Sequence, residues 1–138
     1  MNIITFRRYF LDLFLNTSNF SGKVLDVGGK KDNKRGSFRP PLTKVESWEY
    51  LNIDKSTNPD YCCSADDIPI KDESFDIILM TEVLEHLENP SEVLEECFRV
   101  LKYEGRIIAT MPFLNAIHAD PYDYQRWTSS RIKIEFEK

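Results

Sequence analysis

The sequence predicts a single doubly wound α/β domain built on a mostly parallel sheet, and three observations predict it. Short, nearly continuous apolar runs recur at Lys23–Val27, Phe75–Met80 and Arg106–Thr110, as strands covered on both faces require. The first run closes on Gly28-Gly29, a strand entering a tight turn. Helical periodicity fills the stretch before the first run and the stretch between the last two. Such alternation defines a layered α/β fold, and 138 residues suffice for one core but not for two.

Each element follows from its residues. In the amino-terminal segment Phe6, Phe10, Leu13 and Phe14 share one helical stripe, expected to pack on the sheet, with attachment to a membrane surface as the alternative. Arg7, Arg8 and Asp12 interrupt the apolar run, so the segment is not read as a signal peptide. Residues 29–46 are rich in Lys, Arg, Pro and Gly without a period and predict a long loop. Trp48–Ile53 reads as the second strand, Asp60–Cys63 as a short third and Phe75–Met80 as the fourth. A helix then takes Asn89 as N-cap and Pro90 as its first residue, with Glu92 in the first turn. Val93, Leu94, Cys97, Phe98 and Leu101 form its expected buried stripe and Gly105 its left-handed stop. Arg106–Thr110 is the fifth strand.

Composition narrows the class. With 41% apolar and 30% charged residues the chain is ordinary globular material, neither disordered nor membrane-spanning. A net charge of −5 offers no overall attraction to a phosphate backbone, so nucleic acid is not an expected partner. The charge is uneven: residues 1–50 carry nine basic and five acidic side chains. Adjacent Cys62 and Cys63 would point to opposite faces of a strand, and Cys97 leaves the count odd, which predicts reduced thiols and a cytoplasmic setting.

Ligands of open parallel sheets bind beyond the carboxyl ends of the strands. Those ends read Asp26-Val27-Gly28-Gly29, then Asp54, then Ser64-Ala65-Asp66-Asp67, then Thr81-Glu82, then Pro112-Phe113. A glycine turn admits a ligand close to the backbone, and a carboxylate after the second strand is placed to accept both hydroxyls of a ribose. Adenosine suits such a set. A dinucleotide requires G-x-G-x-x-G, whereas Gly28-Gly29-Lys30-Lys31-Asp32 offers a pyrophosphate no cradle. Asp26 ahead of the glycines instead suits a ligand that carries a sulfonium and an ammonium.

VLDVGG (24–29), Asp54 in LNIDKS, ADDIPI (65–70), SFDIILMTEVLEHLENP (74–90) and FRVLKYEGRII (98–108) resemble successive landmarks of class I S-adenosylmethionine-dependent methyltransferases of the type 11 group. The resemblance covers about residues 20–115. It implies a Rossmann-like fold, S-adenosylmethionine as cofactor and S-adenosylhomocysteine as product. Asp26, Gly28 and Gly29 would border the methionine end, with Glu82 near it. Asp54 would hold the ribose, and Ser64, Asp66, Asp67 and Ile68 would wall the adenine. Lys30 stands where a second glycine is usual, and Ser64 where an acid commonly meets the adenine amino group, so Asp66 or a backbone carbonyl would serve there. Tyr103-Glu104 replaces the usual proline-glycine turn.

On the substrate side, His118, Asp120, Tyr122, Asp123, Tyr124, Arg126 and Trp127 fall within ten residues. This run resembles an H-x-D-P-x-D-Y-x-R-W-T stretch found in a subgroup of these enzymes, often among saccharide-modifying and other small-molecule enzymes. His118 is the expected general base or substrate orienter, supported by Asp123 or Tyr124, with Arg126 facing the acceptor; a plain surface lid is the alternative. Glu85 and His86 in VLEHL invite an acid/base reading, but ordering of the turn is the expected role. No metal site is assigned. Lys30, Lys31, Lys34, Arg35, Arg39 and Lys44 form either a solvated loop or a site for an anionic acceptor, such as a phosphorylated or acidic sugar.

The expected division is an amino-terminal helix (1–20), a cofactor-binding core (21–112) and a substrate-side lid with a short carboxyl-terminal element (113–138). Members of the fold usually add a helix and two strands after the fifth, so the chain reads as carboxyl-terminally short. Arg131–Phe136, or a second subunit in a homodimer, is expected to cover the fifth strand's edge. The function that follows is methyl transfer from S-adenosylmethionine to a small-molecule acceptor. A non-catalytic cofactor-binding module or a truncated partner subunit is the alternative, and missing phosphate-binding glycines disfavour an oxidoreductase.

Overall fold

A computed structural model describes residues 4–137. Its centre is a sheet of β1 (Lys23–Val27), β2 (Ser47–Leu51), β3 (Phe75–Thr81) and β4 (Leu101–Thr110), in the order β2-β1-β3-β4. Every pairing is parallel, with Asp26 opposite Tyr50 on one side and Leu79 on the other. The expected third strand is reduced to a single parallel bridge, Leu51 to Tyr61, because Asp60 turns its carboxylate back onto the Tyr50 N–H at 2.8 Å.

Alternate strand residues feed two cores. Leu25, Val27, Leu51, Ile78 and Met80 pack against Val93, Leu94, Cys97 and Val100 of helix α2 (Pro90–Val100). On the opposite face Val24, Trp48, Tyr50, Ile77 and Leu79 meet Leu11 and Leu15 of helix α1 (Phe6–Thr17). Both faces are therefore covered, which is why β1 and β3 read as unbroken apolar runs. Helix α3 (Ser129–Phe136) lies beside α2, with the Phe98 and Phe136 rings 6.4 Å apart and edge-on.

Three expectations are corrected. The α1 stripe of Phe6, Phe10, Leu13 and Phe14 faces outward, with Phe6 81% exposed, and Leu11, Asp12 and Leu15 point inward instead. The reason is polar: the buried Asp12 carboxylate accepts the Ser37 N–H at 2.7 Å and lies 3.2 Å from Arg8 Nε, which fastens α1 to the loop after β1 by its less aromatic side. Gly105 does not end a helix. Helix α2 stops at Val100, the chain passes straight into β4, and a register shift between the Phe75–Leu101 and Ile77–Arg106 pairs takes up the extra residues, with Glu104 in the left-handed region (φ 64°). Phe98 and Leu101 are consequently not in the fully buried stripe. Arg131–Phe136 is helical and packs on a face of the sheet rather than pairing with β4, so among the described residues β4 has a strand neighbour on one side only.

Removing the Asp12 clamp strands the Ser37 donor and the Arg8 guanidinium. Asp12→Ala is expected to lower stability by about 1–3 kcal/mol in urea unfolding and to speed proteolysis within residues 30–46.

Candidate functional site

The polar groups collect at the carboxyl ends of the strands. At the end of β1 the chain turns at Gly28, whose φ of 77° favours glycine and whose Cβ would sit 2.6 Å from a Val83 methyl. Gly29 has a different reason: a Cβ there would lie 2.3–2.5 Å from the Asp26 carboxyl atoms. Buried Asn52 holds the turn by donating to the Gly28 and Gly29 carbonyls at 3.2 and 3.1 Å. Asp26 is itself buried and accepts the Trp48 indole N–H at 3.2 Å. Burial pushes its carboxyl up to about 6, against the pull of the Lys34 ammonium and the Trp48 hydrogen bond.

Beyond β2, Asp54 sits at the wall of a cavity of about 400 Å³ shared with Lys30, Asp32, Arg35, Ser56 and Thr57. Hydrogen bonds from Ser56, hydroxyl and backbone N–H, hold the Asp54 carboxyl below its ordinary range, so it stays an acceptor. Lys30, which breaks the expected glycine pattern, lines this cavity. The rest of the basic stretch is partly spent internally: Lys31 pairs with Asp60 at 2.7 Å, and Lys34 donates to the Tyr50 hydroxyl at 2.8 Å.

The segment from Ser64 to Ile68 is a turn with Ala65 and Ile68 buried and Asp66 and Asp67 exposed. It is fastened from α2: Glu96 accepts the Ile68 N–H at 2.9 Å, and Arg99 donates to the Ile68 and Ile70 carbonyls at 2.8 and 2.7 Å. The Arg99 hydrogen bonds push the Glu96 carboxyl down to about 2. Glu96 and Arg99 had no mark in the sequence beyond their three-residue spacing.

After β3, Glu82 adopts a φ of 55°, held by its N–H donating to the Thr110 carbonyl at 3.0 Å, and pairs with Arg7 of α1. One turn on, a 3₁₀ segment (Leu84–His86) turns the Glu85 side chain fully inward. Against it docks the run 113–128. Tyr124 N–H donates to the Glu85 carbonyl at 2.8 Å, the Gln125 amide donates to the Leu84 and Leu87 carbonyls, and Trp127 is buried in the α2-side core.

This docking gathers His118, Asp123 and Arg126. Asp123 accepts the His118 N–H at 2.9 Å and grips Arg126 through both guanidinium arms. Arg126 first, then the His118 N–H, hold the Asp123 carboxyl well below the usual carboxylate range, which makes it a fixed anchor and not a base. The His118 and His86 rings meet edge to face, centroids 5.2 Å apart, with both Nε2 atoms turned toward Glu85. His86 is thus beside His118, a proximity that their 32-residue separation conceals.

A parallel sheet whose strand ends carry a glycine turn and carboxylates defines an open-sheet α/β protein, a class in which ligands bind beyond those ends. A methyltransferase-domain family profile matches residues 36–109, and the chain belongs to that family. It is 38% identical over 73 residues to the uncharacterized protein MJ1123 of Methanocaldococcus jannaschii, covering 53% of this chain and 33% of that protein. Over 52 residues it is 36% identical to the ubiquinone biosynthesis O-methyltransferase of Pseudomonas fluorescens, covering 38% of this chain and 20% of the relative. The chain thus spans a third or less of these curated relatives. Among solved structures, a SAM-dependent methyltransferase from Archaeoglobus fulgidus superposes with a TM-score of 0.66 at 17% identity, over 95% of this chain and 66% of the other. The [4+2]-cyclase SpnF also superposes, with a TM-score of 0.59 at 20% identity over 75% of this chain and 44% of SpnF, so the likeness fixes the Rossmann-like methyltransferase fold and not the reaction.

Gly29→Ala is expected to cost about 1–3 kcal/mol by overpacking against Asp26, and most of that cost should vanish in the Asp26→Ala background. A double-mutant cycle in chemical denaturation measures the coupling; additive effects would show that Gly29 serves something other than this contact.

Proposed function

We propose that this chain binds S-adenosylmethionine across the ends of β1 and β2 and directs methyl transfer to a small-molecule acceptor lodged against the run 113–128. The reading rests foremost on Asp26: a buried carboxyl, cleared for a ligand by Gly28 and Gly29, whose charge Lys34 and Trp48 offset only in part and which suits the cofactor's ammonium. Asp54 offers the cavity an ionised acceptor for ribose hydroxyls, Ser64, Asp66, Asp67 and Ile68 wall the adenine, and Glu82 closes the methionine side. When bound, the cofactor supplies an electrophilic methyl group on a sulfonium. The protein's part is alignment and exclusion of water.

His118, held by Asp123, orients an acceptor hydroxyl or takes its proton, and Arg126 fixes the loop that carries it. Saccharides and other anionic metabolites are the acceptor classes that match the resemblance, with Lys30 and Arg35 as the cationic groups nearest the cavity. Free thiols at Cys62, Cys63 and Cys97 fit a cytoplasmic setting, and no helix among the described residues is long and apolar enough to cross a membrane. Pairing of two chains over the open side of β4 belongs to the same reading.

Calorimetry with S-adenosylmethionine, S-adenosylhomocysteine and NAD tests the cofactor; binding of NAD alone would sink the proposal. An acceptor screen then separates an enzyme from a non-catalytic binding module. His118→Ala is expected to lower kcat by about 10²–10⁴ with cofactor affinity unchanged.

The pH dependence follows from Asp26. Between its ordinary 3.8 and about 6 the folded protein keeps a proton that the unfolded chain has released, so stability without ligand falls as pH rises through that window. A bound ammonium favours the carboxylate, so affinity runs the other way, about tenfold weaker at pH 5 than at pH 7.5. Asp26→Asn is expected to flatten both curves, measured by thermal melts and by calorimetry across pH 5–8.

A further inference from the structure

We propose that Glu85, His86 and His118 form a binding site for one divalent first-row transition-metal ion, of which Zn²⁺ and Co²⁺ are the working probes. Glu85 is 0% exposed and neither of its carboxylate oxygens has a hydrogen-bond partner from another residue. A bare carboxylate in the interior is strongly unfavourable unless it takes up a proton or a cation meets it. The Arg126 guanidinium, whose charge also reaches Glu85, gives both of its terminal nitrogens to Asp123. What faces Glu85 is a pair of imidazoles, His86 Nε2 at 3.7 Å and His118 Nε2 at 3.8 Å from Oε1.

These separations discriminate between readings. They are too long for hydrogen bonds, yet near the spacing of two ligands across an ion: at Zn–N and Zn–O distances of about 2.1 Å, tetrahedral ligand atoms stand about 3.4 Å apart. The three donor atoms lie within 4.8 Å of one another, so a modest closing of two side chains suffices.

The outer contacts point the same way. His86 Nδ1 lies 2.6 Å from the Tyr122 carbonyl, which fixes the proton on Nδ1 and leaves Nε2 a lone pair. His118 Nδ1 lies 3.2 Å from the Ala116 carbonyl, an acceptor that holds the proton on Nδ1 in the tautomer a metal requires; the Asn115 Nδ2, 3.1 Å from the same nitrogen, is a competing donor that gives way when an ion binds. Two imidazoles with one carboxylate suit borderline ions and leave coordination positions open. The open side faces outward past His118, whose side chain is 36% exposed, so an oxygen of an exogenous ligand can complete the shell.

The site deepens the methyl-transfer reading at one residue and rests on that reading only for its role. His118 Nε2 spends its lone pair on the ion instead of on the acceptor's proton. An acceptor hydroxyl bound to the ion then releases its proton to solvent more readily. Its oxygen forms the new bond to the methyl carbon as the sulfur–methyl bond breaks and the sulfonium becomes a neutral thioether.

The test uses the untagged chain, freed of metal by chelator and studied without cofactor. Titration with Co²⁺, followed by visible absorption, and with Zn²⁺, followed by calorimetry, is expected to saturate at one equivalent and to raise the melting temperature. Glu85→Gln and His118→Ala should each weaken binding by about a hundredfold or more, while Cys62→Ser with Cys63→Ser leaves it unchanged. No saturable binding, or binding that survives His118→Ala, overturns the proposal. His118 lies on a half-exposed loop, so its variant decides the matter even if Glu85→Gln fails to fold. Cofactor affinity, measured separately on the metal-free chain, fails or holds independently of this result.

Discussion

The central strands β1 and β3 lie side by side with apolar groups on both faces, and most of the molecule answers to that constraint. Val24, Leu25, Ile77, Ile78, Leu79 and Met80 leave almost no place for a polar side chain along the strands. The polar groups are displaced to the carboxyl ends, where the backbone turns and water or a ligand can reach them. Asp26 sits at that boundary, inside the sheet by register and next to its carboxyl edge.

Around this apolar centre, buried carboxylates act as fasteners, and their partners tell their uses apart. Asp12 is met by Ser37 and Arg8 and fixes α1 to the loop after β1. Asp123 is met by Arg126 and the His118 N–H and fixes the run 113–128. Asp26 has one side-chain hydrogen bond, from Trp48, and Glu85 has none from another residue. Asp12 and Asp123 each meet a guanidinium within the chain, whereas Asp26 and Glu85 form no such pair and lie where exogenous cationic groups are proposed to bind.

Periodicity and the glycine pair carried the strands, because burial on both faces leaves a short continuous apolar run and the glycines mark where it turns. Pro90 marked the start of α2 for an equally local reason. The outer face of α1 was not legible: Phe6, Phe10, Leu13 and Phe14 form the stronger stripe, yet one carboxylate meeting the Ser37 donor turns the helix the other way. Nor was the end of α2, since the register shift into β4 depends on Phe75 and Ile77 across the sheet. Of the site, Asp26, Gly28, Gly29 and Asp54 stand beside recognisable strand ends, while Lys30, Asn52, Glu96 and Arg99 act through contacts with distant segments.

By itself the sequence determined the parallel α/β arrangement, the acidic and glycine-rich strand ends and the concentration of polar groups around His118, because each is written in neighbouring residues. Only the tertiary structure decided which face of α1 is buried, that the run 113–128 docks on the turn after β3, and that Glu85 and His86 converge with His118. Those outcomes depend on hydrogen bonds between segments far apart in the chain, and a local pattern holds no record of the partner that satisfies them.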